Sequence, residues 1–334
     1  MRPLVRNIFL LFGIAAIIVM VCSFDTADAM RRIQLSRAAA FLPLVIGVWV
    51  AVYALNARAF QIIVNTGADG KRLSFLHSYK LTVSGFAFSY TTPFGFGGGP
   101  YRVMELNAYI GLSRSMASVA LYSMMHILSH FFFWATGIML FIIFYFEKMT
   151  PWLWSVFGTF AVVLAVALFV FSLCYRKGVI VALYRGLLYI PLLKKYTRRF
   201  WDKNEENMRQ VDRNIAYLHE RPCAFWSSLL CEYLGRIVNS LEFFFILMAF
   251  GCKVNFADAI LILAFSSFVG NVFFFFPMQM GAREGGLALI IKILGITAGG
   301  GLGIFAALYT RLRELFWVFV GVSLVKVGNR RLMT

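Results

Sequence analysis

The sequence predicts an all-α, polytopic membrane protein of about eight transmembrane helices, with two Gly/Pro-broken re-entrant segments. Three observations predict it. First, the 334 residues are 60% hydrophobic and only 14% charged, with a mean hydropathy of +0.77; soluble domains run near 45–50% apolar and about 25% charged. Second, the apolar runs are far longer than the strands of about ten alternating residues that build an outer-membrane barrel. Third, two glycine-rich stretches interrupt those runs, and irregular backbone at membrane depth is tolerated only where protein or a wet cavity satisfies its polar groups.

The helices follow from the apolar runs in order: 7–23, 38–56, 73–91, 115–146, 151–175, 224–250, 256–276 and 302–326. Most approach or exceed the ~20 apolar residues needed to cross. Segment 73–91 is weaker, since it carries His77, Lys80 and several Ser and Thr. The first helix follows Arg2 and Arg6 and precedes Ala27-Asp28-Ala29, which resembles a signal-peptidase site. An uncleaved first helix and a cleaved signal peptide both place residues 24–37 outside.

Residues 176–222 are the sizeable polar block. Their eleven Lys and Arg against five acids, interleaved with Leu, Ile, Tyr and Trp, predict amphipathic helices on the cytosolic headgroups. The net charge of +17 is read the same way, as positive-inside bias and attraction to anionic lipid. Nucleic acid is not expected, because no basic motif sits on a soluble domain able to dock a duplex.

Charge then sets topology. Five full crossings before residue 176 would put the basic block outside. If segment 73–91 and its sequel enter and return, the block falls inside. The same treatment of 256–276 puts the C-terminus inside with the N-terminus. The unit of helix, helix, break and helix then occurs over about 38–146 and again, inverted, over about 224–326, within one domain spanning 1–334. Paired broken segments in inverted repeats mark transporter sites. Ala117-Ser118-Val119-Ala120-Leu121-Tyr122-Ser123 parallels Ile304-Phe305-Ala306-Ala307-Leu308-Tyr309-Thr310.

The first break holds Pro93, Gly95, Gly97, Gly98, Gly99 and Pro100, and the second holds Pro277, Gly281, Gly285 and Gly286. Gly97-Gly98-Gly99-Pro100 is poorly suited to continue a helix. Its free N–H groups would suit a headgroup phosphate, the blander alternative being an ordinary interfacial loop. Arg102 and Glu105 follow the first break, and Arg283 and Glu284 lie in the second. Charges in such places serve a pathway or a partner. Glu232 and Arg236 stand four apart and can pair on one face, with Asn239 and Glu242 extending the stripe; Arg311 and Glu314 stand three apart and can also pair. Such sets either glue helices together or line a wet path. Arg313 belongs to the same buried charges.

No cofactor or metal is expected. The cysteines at 22, 174, 223, 231 and 252 lie far apart with no CxxC. His126 and His130 stand one turn apart, but Ile127 occupies the place of a zinc protease's Glu, so interhelical hydrogen bonding is expected. Neither a Walker loop nor a Gly-x-Ser-x-Gly elbow is present. Asp25 and Asp28 in the first outer loop are a weak pointer to lipid-linked glycosyl transfer.

Thr92-Pro93-Phe94, the following glycine pair and Pro100 resemble the first break of a flippase-like membrane domain family. Pro277, Gly281, Arg283 and Glu284 resemble that family's second break, and Tyr309-Thr310-Arg311 resembles the element after it. This domain forms the N-terminal half of lysylphosphatidylglycerol synthases and also stands alone. The resemblance spans about residues 8 to 326. Arg102 and Glu105 fit its pattern less tightly. It implies movement between leaflets of a phospholipid, an aminoacyl-phospholipid or a glycolipid, in a bacterial inner membrane. It does not imply the synthase reaction, which belongs to a separate soluble domain; this chain is expected to lack that domain, since it stops eight residues after the last predicted helix. The substrate-binding residues expected are Arg283, Glu284, Arg311, Arg102, Glu105, Glu314, Glu232 and Arg236. The partners expected are anionic or aminoacylated membrane lipids and, in one reading, a lipid synthase docked on 176–222. The alternatives are a membrane enzyme transferring an aminoacyl or glycosyl group to a lipid, and a non-transporting partner of an envelope-lipid synthase.

Overall fold

A computed structural model describes residues 40–66, 72–92, 95, 97–177, 198, 205, 206, 208–213, 221–272, 282–296 and 302–326; of residues 170–177, 282–284, 302–305 and 308 it describes the backbone alone. The predicted helix 7–23, Pro93, Pro277, Gly281 and most of the basic block lie outside these residues.

All regular elements among the described residues are helical. They are α1 (Leu42–Asn65), α2 (Phe75–Thr91), α3 (Gly98–Ile110), α4 (Leu112–Phe144), α5 (Pro151–Lys177), α6 (Pro222–Ala249), α7 (Phe256–Val272), α8 (Ala282–Leu294) and α9 (Leu302–Leu324), with a short 3-10 turn at Phe146–Lys148. Leu42–Asn65, Leu112–Phe144 and Pro151–Phe169 are long and apolar enough to cross a membrane; α7 and Gly285–Leu294 are apolar but shorter.

Most predicted helices stand within a few residues of their expected limits. Helix α1 runs nine residues past the predicted end at 56, because Arg58, Gln61 and Asn65 continue the helix as a polar end. Two helices are additions. The glycine-rich stretches were read as breaks through residues 102 and 286, yet α3 starts at Gly98 and α8 at Ala282. Pro100 falls in the first turn, where its missing N–H costs no helical hydrogen bond. Helix α2 thus ends at Thr91 and α3 begins at Gly98. Gly98, Gly99, Pro100, Gly285 and Gly286 are helical.

Local chemistry fixes the ends. Ser74 caps α2 by accepting the His77 N–H at 3.4 Å, and Pro222 opens α6 from its first turn. Gly111 separates α3 from α4 with φ +79°, a conformation that a side chain disfavours.

The order of lengths recurs. Helices of 24, 17, 13 and 33 residues (α1–α4) are followed by helices of 28, 17, 13 and 23 residues (α6–α9). In each set the first packs on the second, the second on the third and the third on the fourth. Between the sets, α1 runs along α6, α4 crosses α7, and α9 crosses α2. Both crossings are glycine–alanine contacts. A Cβ added at Gly137 would stand 2.7 Å from Ala264 Cβ, and one added at Gly321 would stand 2.6 Å from Ala87 Cβ. Small residues let helix backbones approach this closely in membranes.

Two apolar clusters hold the assembly. Phe60, Leu81, Phe88, Tyr101, Leu106 and Met125 join α1 to α4. Phe133, Phe243, Leu247, Ile262, Leu287 and Ile290 join α4 to α6, α7 and α8. Helix α5 stands to one side against α4 and exposes Trp152, Val162 and Phe169, as a lipid-facing helix would.

Candidate functional site

The two sets enclose a cavity of about 800 Å³. Its walls come from α1, α2, α3, α4, α6, α7 and α9. Three arginines (Arg102, Arg236, Arg313) and three glutamates (Glu232, Glu242, Glu314) line it, together with His126 and His130. Gly95, Gly99 and Pro100, from the first break and the start of α3, form part of the wall.

The glutamates are almost fully buried: Glu232 and Glu242 are each 1% exposed and Glu314 is 3% exposed. A buried charge demands a partner, and three arrangements supply it. Arg313 donates from Nε and one terminal nitrogen to Glu242 at 2.9, 3.0 and 3.1 Å. Its guanidinium lies 3.9 Å over the Trp49 ring, while Trp49 Nε1 donates to the other side of Glu242 at 2.9 Å. The pair thus ties α9, α6 and α1 together.

Beside it on α9, Glu314 lies 3.7 Å from Arg313, and Arg311 reaches Glu314 at 3.3 Å and donates to the Tyr90 hydroxyl at 2.7 Å. Tyr90 in turn donates to Glu314. This joins α9 to the end of α2.

The third arrangement joins α6 to α4. Glu232 Oε2 lies 2.8 Å from His126 Nδ1. Arg236 donates to Ser129 Oγ and to the His126 carbonyl, both at 2.8 Å. Their spacing allows Glu232 and Arg236 to pair with each other. Instead each reaches across to α4, because their common face meets that helix and offers partners at better geometry. His126 stands edge-on to His130 at 5.3 Å. Among the described residues no three His, Cys, Asp or Glu are grouped to hold a metal.

Arg102 is held differently. It donates to the Leu81 and Thr82 carbonyls at 3.4 and 3.5 Å, both long, and its guanidinium lies 5.0 Å from the Tyr122 ring. Gly85 makes room for it: a Cβ there would stand 2.5 Å from Arg102 Nε.

The first break is closed by its own residues. Thr92 takes the Gly95 N–H on its carbonyl at 3.1 Å and the Gly97 N–H on its hydroxyl at 2.7 Å. Of the N–H groups of Gly97 to Gly99 expected to face a phosphate, that of Gly97 is therefore occupied. Gly98 packs against α2, where a Cβ would meet the Gly85 carbonyl at 2.3 Å. In the second unit Gly286 faces Val269 of α7, where a Cβ would stand a tight 3.1 Å from a valine methyl.

Of the expected substrate-binding residues, Arg102, Glu232, Arg236 and Glu314 line the cavity. Arg311 stands behind Glu314. Glu105 is buried at 5% exposure away from the lining. Arg283 and Glu284 fall in the first turn of α8, and their side chains lie outside the described residues. Reading by spacing passed over Arg313, Glu242, Trp49 and Tyr90 as site residues. The stripe from Glu232 to Glu242 was a signal for the second of these; nothing in the sequence joins it to Arg313.

Buried polar atoms without a hydrogen-bond partner remain on the walls. Among them are Glu232 Oε1, Asn239 Oδ1 and one terminal nitrogen of Arg313. Each such atom costs about 1–3 kcal/mol unless something fills the space.

A family model described as the lysylphosphatidylglycerol synthase TM region matches residues 8–321, nearly the whole chain. No curated protein and no solved structure matches.

Proposed function

The chain belongs to the lysylphosphatidylglycerol synthase TM region family, and from that premise we propose that this helical membrane protein moves a phospholipid, an aminoacyl-phospholipid or a glycolipid between leaflets. Family membership links the chain to lipid handling; transport is our reading. One observation carries it: a polar, charge-lined cavity of about 800 Å³ stands between two sets of helices whose order of lengths repeats. Ionisable groups at membrane depth are costly and mark pathways, and transporter sites form where repeated units with broken helices meet.

In this reading 38–146 and 224–326 are inverted repeats, and the α2–α3 and α7–α8 hairpins enter and return. The Gly137–Ala264 and Gly321–Ala87 crossings support it, because they relate the fourth helix of each unit to the second helix of the other. Arg102 and Arg236 contact the headgroup phosphate. Arg283 and Glu284 stay candidates for the same role. The chain acts as a transporter rather than an enzyme, in a bacterial inner membrane with both termini cytosolic. Its basic block meets anionic lipid or a lipid synthase in this reading.

The test is reconstitution into vesicles with a fluorescent phospholipid in both leaflets. Dithionite access to inner-leaflet label should rise with the wild type. It should rise far less with Arg102→Ala and Arg236→Ala. Equal rates in wild type and both variants, above protein-free vesicles, would remove these residues from the pathway. No rise with wild type would remove the transport reading.

A further inference from the structure

We propose that His126 and Glu232 form a proton-binding site in the cavity wall, and that the protein loads a proton there together with an anionic headgroup. The coupling to a headgroup rests on the transport reading above. The proton site rests on the geometry of α4 and α6.

Glu232 is 1% exposed, whereas 44% of the His126 side chain is open. The carboxylate therefore meets the cavity through the imidazole, whose Nδ1 lies 2.8 Å from Glu232 Oε2. A carboxylate only accepts, so the ring carries a hydrogen on Nδ1 and keeps the lone pair of Nε2. Nε2 can take a proton from water in the cavity. The ring then becomes an imidazolium, its Nδ1–H still donates to Oε2, and the pair loses its negative charge. Histidine is the side chain suited to this exchange between pH 5 and 8.

The surroundings favour the exchange. Glu232 Oε1 has no hydrogen-bond partner, and a buried carboxylate without full compensation is costly. Arg236 does not bond to it, since Nε and one terminal nitrogen go to Ser129 Oγ and the His126 carbonyl. An imidazolium supplies the missing charge. Other groups face the pair from each neighbouring helix. On α4 itself they are Tyr122, whose hydroxyl reaches Glu232, and His130, edge-on at 5.3 Å. Arg102 of α3 lies over the Tyr122 ring at 5.0 Å. Arg58 of α1 bonds Gln61 and acts on Cys231, next to Glu232. On α7, Asp258 is taken up by Tyr145 at the far end of α4. The described side chains of α5 include no titratable group. Glu242, ten residues along α6 and so about 15 Å away, is occupied by Arg313.

The coupling follows from Arg236, which lines the cavity one turn along α6 from Glu232. While the pair is unprotonated, an anion arriving at Arg236 also meets the Glu232 charge. Once His126 holds the proton, it meets a neutral pair. Proton and anion therefore each tighten the other's binding, and the linkage is reciprocal. A change of charge at this pair acts whatever Arg283 and Glu284, whose side chains lie outside the described residues, add to the cavity. Joint passage of a proton and a phosphodiester carries no net charge through a medium where charge is costly.

The test uses the full chain in nanodiscs of phosphatidylglycerol and phosphatidylcholine, whose own charges do not change between pH 5.5 and 7.5. Lipid retained on the released protein is identified by mass spectrometry at both pH values. The ratio of phosphatidylglycerol to phosphatidylcholine on wild type should rise about tenfold at pH 5.5, within the range usual for coupled sites. His126→Gln keeps the carboxylate charged, so its ratio should stay at the wild-type value of pH 7.5 at both pH values. Glu232→Gln removes the charge, so its ratio should stay at the wild-type value of pH 5.5. The two variants thus move in opposite directions, which partial misfolding does not imitate. A wild-type ratio that ignores pH, or a rise that survives in His126→Gln, overturns the proton site. In vesicles, a pH gradient should speed wild-type translocation of acyl-labelled phosphatidylglycerol and not that of His126→Gln. Translocation by wild type that ignores the gradient overturns the coupling. A pH-dependent ratio without any translocation leaves the proton site standing and removes the transport reading.

Discussion

Arg313 of α9 grips Glu242 of α6 by hydrogen bonds of 2.9, 3.0 and 3.1 Å, with both side chains 1% exposed. Breaking a buried ion pair leaves one charge uncompensated, which costs more than the pair contributes. Arg313→Met and Glu242→Leu should therefore each destabilise the protein by about 3–5 kcal/mol. The double variant Arg313→Met/Glu242→Leu should recover much of that loss, since no charge is stranded. Thermal denaturation in detergent checks this. Additive losses in the double variant would mean that the two side chains do not act as a pair.

The glycines of the first break separate by position. A Cβ at Gly98 would stand 2.3 Å from the Gly85 carbonyl, whereas at Gly99 the nearest atom is 3.9 Å away, on Val119. Gly98→Ala should cost roughly 1–3 kcal/mol through forced separation of α2 and α3. Gly99→Ala should be neutral or slightly stabilising, since alanine favours a helix over glycine. Melting temperatures of the two variants decide it.

This contrast bears on what the sequence made legible. Gly97-Gly98-Gly99-Pro100 reads as a breaker because glycine and proline have poor helix propensity, yet three of the four open a helix. Proline in a first turn loses no hydrogen bond, and Gly98 is there for a close approach to α2 that only the fold reveals. Arg311 with Glu314 was readable because both stand on one helix at a fixed spacing. Arg313 with Glu242 was not, since 71 residues separate them and spacing carries no information across helices. The same holds for Glu232 and Arg236, whose spacing allowed a pair while their neighbours on α4 offered better partners. The apolar runs survived the comparison best, because burial or lipid contact along a whole helix demands many residues at once.

The glycine–alanine crossings give a third prediction. Gly137→Val and Gly321→Val insert side chains where a Cβ already meets Ala264 at 2.7 Å and Ala87 at 2.6 Å. Both should destabilise by about 1–3 kcal/mol. Ala264→Gly should partly rescue Gly137→Val, whereas Ala87→Gly should rescue Gly321→Val less, because the Val83 carbonyl oxygen also stands 2.7 Å from that Cβ; neither should rescue the other crossing, which double-mutant cycles on melting temperature can measure. Cross-rescue would show that the two crossings do not act locally.

Arg102 and Arg311 supply the last prediction, because the same residue type is held in opposite ways. Arg311 is 2% exposed and bonded to Tyr90 and Glu314. Removing it leaves Glu314 with Tyr90 and, at 3.7 Å, Arg313, so Arg311→Ala should lower stability by about 1–3 kcal/mol and reduce the amount of folded protein. Arg102 lines the cavity and holds two carbonyls only at 3.4 and 3.5 Å, so its loss strands no charged partner in that pair. Arg102→Ala should keep its melting temperature within a few degrees of wild type. It should weaken retention of an anionic lipid roughly 10- to 100-fold, the value of a charge-assisted hydrogen bond of about 1.5–3 kcal/mol. Arg102→Lys should recover part of that affinity, because it keeps the charge and loses the paired donors. A fall in stability equal to that of Arg311→Ala, with lipid retention unchanged per folded molecule, would make Arg102 a strut between α2 and α3 rather than a ligand for phosphate.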